Sequence, residues 1–170
     1  MPTLISFSGL PGVGKTTIAK KLSEQTGAIF VRVDVIEAAL QASRLKIDEP
    51  EDAGYLAASA VAQSNLLLGH SVIADTVNPL QVTRDLWANT ARLANASLLN
   101  IEIVCSDEAT HRKRVETRHS DIEGFSVPSW QKVVDRTYEA WIEVDLRIDT
   151  FSTSLPDAIR MIRDRLEGST

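Results

Sequence analysis

Near the amino end, the run Gly9-Leu10-Pro11-Gly12-Val13-Gly14-Lys15-Thr16-Thr17 sets glycines, a lysine and threonines at the spacing G-x-x-x-x-G-K-T. An apolar run precedes it and a helical pattern, Thr17 to Leu22, follows, which is the setting such a pattern needs to hold phosphates. Glycines let backbone N–H groups converge on phosphate oxygens without interference from Cβ, and the helix start adds unpaired N–H groups and the positive end of its dipole. Lys15 then reaches the β and γ phosphates, and the Thr16 hydroxyl is a hard oxygen ligand suited to Mg²⁺. These residues predict a site for ATP with Mg²⁺. They leave GTP open as an alternative and say nothing of an acceptor.

Carboxylates and guanidiniums elsewhere can complete the chemistry. Asp34 follows Val31-Arg32-Val33 and opens a helical run, Val35 to Leu40, so its carboxylate stands at a strand end and either accepts a hydroxyl proton or caps the helix. Asp75 ends Ser71-Val72-Ile73-Ala74 and is the candidate for a second acidic contact, to a Mg²⁺-bound water or to the acceptor, with Asn78 sharing its role. The other reading is a turn-forming Asp ahead of Asn78-Pro79. Arg114 and Arg118 are four apart on one helix face and form either a clamp on a transferred phosphoryl group or a solvated helix end. His70, His111 and His119 lack metal-ligand spacing, and Cys105 reads as an inert thiol. Trp87, Trp130 and Trp141 read as core residues before they read as a stacking platform.

The elements that must position these groups show in the hydrophobic pattern. Strand-like apolar runs occur at Leu4 to Ser8, Ala28 to Val33, Ser71 to Ala74, Ser97 to Val104 and Leu146 to Ile148, each followed by a helical pattern. Continuous rather than alternating hydrophobicity suits parallel strands covered on both faces, so the expectation is an α/β fold with five parallel strands. Leu56, Ala57, Ala60, Val61, Ser64, Leu67 and Leu68 form one helical stripe, between Pro50 and Gly69. Ser106 is the expected cap of a helix from Asp107 to about His119, and a last helix runs from about Leu155 to Leu166. The stretch Ser120 to Ser129 reads as a mobile loop.

The chain has 170 residues, 44% hydrophobic and 24% charged, which suits a single globular domain spanning 1–170. Its net charge of −5 has no basic block, which argues against nucleic acid as a partner. Residues 53–74 lack Asp, Glu, Lys and Arg, yet Ser59, Gln63, Asn65 and His70 interrupt them, so no membrane span is expected. A single cysteine and the absence of a signal-peptide pattern give a cytoplasmic expectation, as a monomer or homodimer.

Taken together, Gly9 to Thr17, Asp34, the segment Val72 to Asn78, and Arg114 with Arg118 make the chain resemble the P-loop small kinases, a group that includes chloramphenicol phosphotransferase, gluconate kinase, zeta toxins and the kinase domain of polynucleotide kinase. Pro128 to Tyr138 more loosely matches an ATP-binding branch of that group. The resemblance implies a three-layer α/β/α sandwich with strand order 2-3-1-4-5 and a lid around 112–130. It also implies a catalytic set of Lys15, Asp34, Arg114 and Arg118, with Asp34 taking the proton of an acceptor hydroxyl, and an adenine site at Asp149-Thr150. Many relatives carry an arginine on the helix after that aspartate to hold an acceptor phosphate or carboxylate, whereas this chain has Val35-Ile36-Glu37-Ala38-Ala39. Arg32, Arg44 or Arg136 can compensate, and Arg136 joins Asp34, Asp75 and Asn78 as a candidate acceptor contact. The implied function is transfer of the γ-phosphoryl group of ATP to a hydroxyl of a small molecule. The alternatives are a nucleotide or polynucleotide kinase, or an ATP-hydrolysing switch.

Overall fold

Leu4, Ile5 and Phe7 are all buried although neighbours along a strand point to opposite faces, so the first strand is covered on both sides. The computed structural model describes residues 1–44, 47, 50–124 and 126–168. Its elements are β1 (Thr3–Ser8), α1 (Lys15–Thr26), β2 (Ile29–Arg32), α2 (Val33–Ala42), α3 (Ala53–Leu67), β3 (Val72–Asp75), α4 (Gln81–Leu93), β4 (Ser97–Val104), α5 (Glu108–Thr117), α6 (Trp130–Val134), β5 (Leu146–Asp149) and α7 (Leu155–Gly168). The five strands form one parallel sheet in the order β2-β3-β1-β4-β5, as the resemblance implied. One core packs Ile18 and Leu22 of α1 and Ile159 and Ile162 of α7 on one face of the sheet. A second packs Ala58, Ala62 and Leu66 of α3 and Trp87 of α4 on the other.

Helix α3 departs from the sequence expectation in its orientation. Its buried face is Gly54, Ala58, Ala62 and Leu66, whereas Leu56, Val61, Leu67 and Leu68 of the expected stripe are exposed. Small side chains let α3 lie close to its neighbours, and packing chose that face over the one with the larger apolar residues. At α5 the cap is Asp107, whose carboxylate accepts the Thr110 N–H at 2.7 Å, while the Ser106 hydroxyl bonds to Asp149 instead. The helix ends before Arg118, which is already extended.

Among the described residues of the loop from Ser120 to Ser129, Asp121 fastens it to the body of the fold. Asp121 pairs with Lys20 of α1 and with Arg32 of β2, and these two cations hold its carboxyl well below the usual range. Phe125 of that loop lies outside the described residues. Among the described residues no helix is long and apolar enough to cross a membrane.

Candidate active site

Parallel strands send their carboxyl ends to one rim of the sheet, and a cleft of about 1120 Å³ opens there. Its floor begins at the turn between β1 and α1. Gly9, Gly12 and Gly14 have φ of 136°, 87° and 105°, values that side chains with a Cβ seldom adopt. A Cβ on Gly9 would sit 2.1 Å from the Ile103 carbonyl oxygen, and one on Gly12 would sit 2.5 Å from Val115 Cγ2. The turn is therefore pressed against β4 and α5 and leaves its open side to the cleft.

Helix α1 starts without a side-chain cap, whereas Asp107 and Ser129 cap α5 and α6. Its first N–H groups have no partner within the helix, and an anion is the natural partner for them. Pro11, Gly12, Gly14, Lys15, Thr16 and Thr17 line the cleft; Gly9, Leu10 and Val13 do not. These three shape the turn instead. Gly9 N–H donates to the Val77 carbonyl (3.0 Å), the Leu10 carbonyl accepts from Lys15 Nζ (3.0 Å), and the Val13 carbonyl accepts from the Thr150 hydroxyl (2.7 Å). His111, buried on α5, adds a ring-nitrogen hydrogen bond to the Pro11 carbonyl at 2.8 Å and packs against the edge of Trp130.

Lys15 is only 8% exposed. Burial lowers its pKa to about 8, with Arg118 and Arg32 acting the same way against the pull of Asp75 and Asp34. The ammonium is a strained charge that a phosphate would relieve. Beside it, Thr16 Oγ1 donates to Asp75 Oδ2, and burial raises the Asp75 carboxyl despite Lys15, Thr16 and Arg32. A hydroxyl and a carboxylate at this place form a hard-oxygen donor set that fits Mg²⁺, an ion that keeps several waters and leans on phosphate oxygens. Among the described residues no cluster of three or more His, Cys, Asp or Glu forms an all-protein cage.

Asp34 stands in the first turn of α2 and lines the same cleft. Arg32, overlooked by the sequence reading except as one of three arginines, is the centre of the charge network. Its guanidinium lies 3.3 Å from Asp34, 3.7 Å from Asp75 and 2.8 Å from Asp121. Its buried Nε has no hydrogen-bond partner among the described residues. Arg136 also lines the cleft, whereas Arg44 does not.

Arg114 and Arg118 both reach the cleft, but differently. Arg114 donates to the Thr150 hydroxyl (2.8 Å) and carbonyl (3.2 Å), so it fastens α5 to the end of β5. No hydrogen bond or ion pair engages the Arg118 guanidinium among the described residues. Asn78, expected beside Asp75, is fully buried and absent from the lining; its amide nitrogen donates to Ser6 Oγ at 3.4 Å, and its φ of 50° makes it a turn residue. None of the tryptophans lines the cleft: Trp87 is core, and Trp141 stacks under the Arg84 guanidinium.

The sequence reading missed Glu37, Tyr55 and Thr76, which line the cleft beyond Asp34 and Asp75. Glu37 had a signal, since three residues from Asp34 on a helix is the same face. Tyr55 had none, because its place depends on how α3 packs.

Comparison with known proteins gives the same fold. The AAA_33 family model, described as an AAA domain, matches residues 4–137. An APS kinase of Mycobacterium tuberculosis, solved with AMPPNP and APS, superposes with a TM-score of 0.74 at 18% identity, covering 98% of each chain. A sugar kinase of Janibacter sp. HTCC2649 gives 0.69 at 15% identity, covering 98% of this chain and 95% of that one. A gluconokinase of Sinorhizobium meliloti 1021 gives 0.64 at 18% identity, covering 99% and 98%. Among curated proteins none matches the chain.

Proposed function

The chain belongs to the AAA_33 family, and on that premise we propose that it transfers the γ-phosphoryl group of ATP to a hydroxyl of a small molecule, with Mg²⁺. One observation carries the reading: Asp34 faces the same cleft as Lys15 and the uncapped start of α1, with its carboxylate held by Arg32. The kinases with the same fold, which include an APS kinase and a gluconokinase, support it.

The amides at the start of α1 and Lys15 hold the triphosphate, with its base toward Thr150, Thr153 and Leu155, which line the same cleft beside the turn. Thr16 and Asp75 would hold Mg²⁺, directly or through water, which when bound draws charge from the β and γ phosphates. The acceptor oxygen attacks the γ-phosphorus, the bond to the β,γ-bridging oxygen breaks, and ADP leaves. Asp34 receives the hydroxyl proton as the new bond forms. Arg118 supplies charge to the transferring group, and Arg114 positions α5, on which the lid turns.

Asp34→Asn tests the assignment. Phosphoryl transfer should fall by about a hundredfold or more while ATP binding persists, as expected for loss of a general base. Unchanged product formation would remove Asp34 from that role. Lys15→Ala is uninformative here, because a hydrolysing switch would lose its nucleotide as well.

A further inference from the structure

Glu37 follows Asp34 by three residues on α2, so the two carboxylates share one helix face, and both line the cleft. The chain makes room for it. A Cβ on Gly54 of α3 would lie 2.5 Å from Glu37 Cγ and 2.9 Å from Oε1. Gly54 has no positive φ that would call for glycine; the space its side chain would fill belongs to Glu37. Glu37 is therefore seated by two helices rather than left to wander on a surface.

Around it, Tyr55 is fixed by accepting the Asn78 N–H at 2.9 Å, and Arg136 is the cation whose charge Glu37 feels. No hydrogen bond or ion pair within 4 Å engages the Glu37 carboxylate among the described residues. Burial and the charge of Asp34 push its carboxyl up to about 7, the mark of an acceptor group short of partners. An anionic group placed beside Glu37 would meet that unpaired carboxylate, since Asp34 is already paired with Arg32 and Arg136 is the one cation whose charge Glu37 feels. A hydrogen-bond donor would meet an unsatisfied acceptor.

We infer that Glu37 selects the acceptor: an alcohol carrying a second donor, a hydroxyl or an ammonium group, beside the reacting hydroxyl, and no phosphate, sulfate or carboxylate at that place. The inference rests on the phosphotransferase reading. It narrows the substrate class to polyols and amino alcohols, and it separates this cleft from kinases whose acceptors are acids.

Calorimetry on protein loaded with Mg²⁺ and a non-hydrolysable ATP analogue tests it, using hexitols, hexosamines, and the sugar acids and sugar phosphates of the same skeletons. The tightest-bound compound should be a polyol or an amino sugar, with its acid or phosphate counterpart weaker by about tenfold or more. Glu37→Gln should bring that gap to within about threefold, keeping affinity for a polyol and losing it for an amine, since the amide still accepts a hydrogen bond but carries no charge. Gly54→Ala, which displaces Glu37 without removing it, should weaken the same compound and leave the ATP analogue unaffected.

The inference is overturned if an acid or phosphate binds as tightly as its neutral counterpart, if Glu37→Gln leaves the ranking unchanged, or if no compound of the set binds. A polyol that binds through Glu37 but is never phosphorylated would instead sink the phosphotransferase reading and leave the selectivity standing.

Discussion

Thr16 Oγ1 donates a 2.7 Å hydrogen bond to Asp75 Oδ2, tying the first turn of α1 to the end of β3 inside the cleft. Asp75 is 3% exposed, so this hydroxyl, Lys15 and Arg32 are what keep a buried carboxylate tolerable. Asp75→Asn keeps the shape and removes the charge. The expected result is loss of the Mg²⁺-dependent part of ATP affinity, by about tenfold or more, with Mg²⁺-free binding little changed. Titrations with and without the metal measure it, and an intact metal effect would contradict the assignment.

Lys15 gives a pH dependence of definite sign. Its pKa in the free protein is lowered to about 8, and a bound triphosphate favours the charged form and moves it back up. Below pH 8 the lysine is already protonated, and binding takes up no proton. Above it, binding must take up a proton, and affinity falls by about tenfold for each pH unit until the bound-state value is reached. Calorimetry at pH 9 in two buffers of different ionisation enthalpy should report uptake approaching one proton.

Glu37 acts in the opposite direction, on stability. Its pKa is raised from 4.5 to about 7, so ionisation costs the folded state more than the unfolded one. Stability from this group is fully present below pH 4.5 and is lost as the pH rises toward 7. Replacement by Gln removes the ionisation, so Glu37→Gln should raise the thermal midpoint at pH 8 and leave it nearly unchanged at pH 4.5. The groups facing Glu37 are Asp34, Tyr55 and Arg136, and Asp34→Asn should shrink the effect by removing one repelling charge.

Two glycines with positive φ should respond very differently to alanine. Gly27 ends α1 with φ 72° and open space around it, so Gly27→Ala should cost about 1 kcal/mol, the left-handed penalty alone. Gly9 adds the collision with Ile103 to a φ of 136°, and Gly9→Ala should cost about 3 kcal/mol or more. Denaturant midpoints of the two variants test the contrast.

The sheet was legible in the sequence because buried parallel strands leave near-continuous apolar runs, and Val72 to Asp75 and Ser97 to Val104 lie within a residue of where the pattern set them. The anion-binding turn was legible because glycine placement is a local demand. What stayed hidden depends on packing between distant parts. The choice of the Gly54-Ala58-Ala62 face over Leu56 and Leu67 follows from how closely α3 approaches α2, which no periodicity within α3 reveals. For the same reason Arg32 looked like one charge among several, although the fold makes it the link between Asp34, Asp75 and Asp121. Arg114 and Arg118 showed as a pair by spacing, while their division into a fastened and an unengaged guanidinium depends on Thr150, on another strand.

The order of the strands has a consequence for how the molecule is born. β1 lies between β3 and β4, and its last residue, Ser8, is aligned with Glu102. On the ribosome, the segment that will cradle phosphate must wait, half enclosed, until the chain has emerged as far as Glu102. Synthesis therefore passes through a long interval in which apolar Leu4, Ile5 and Phe7 have a neighbour on one edge at most, and it is there that chaperones would find their target.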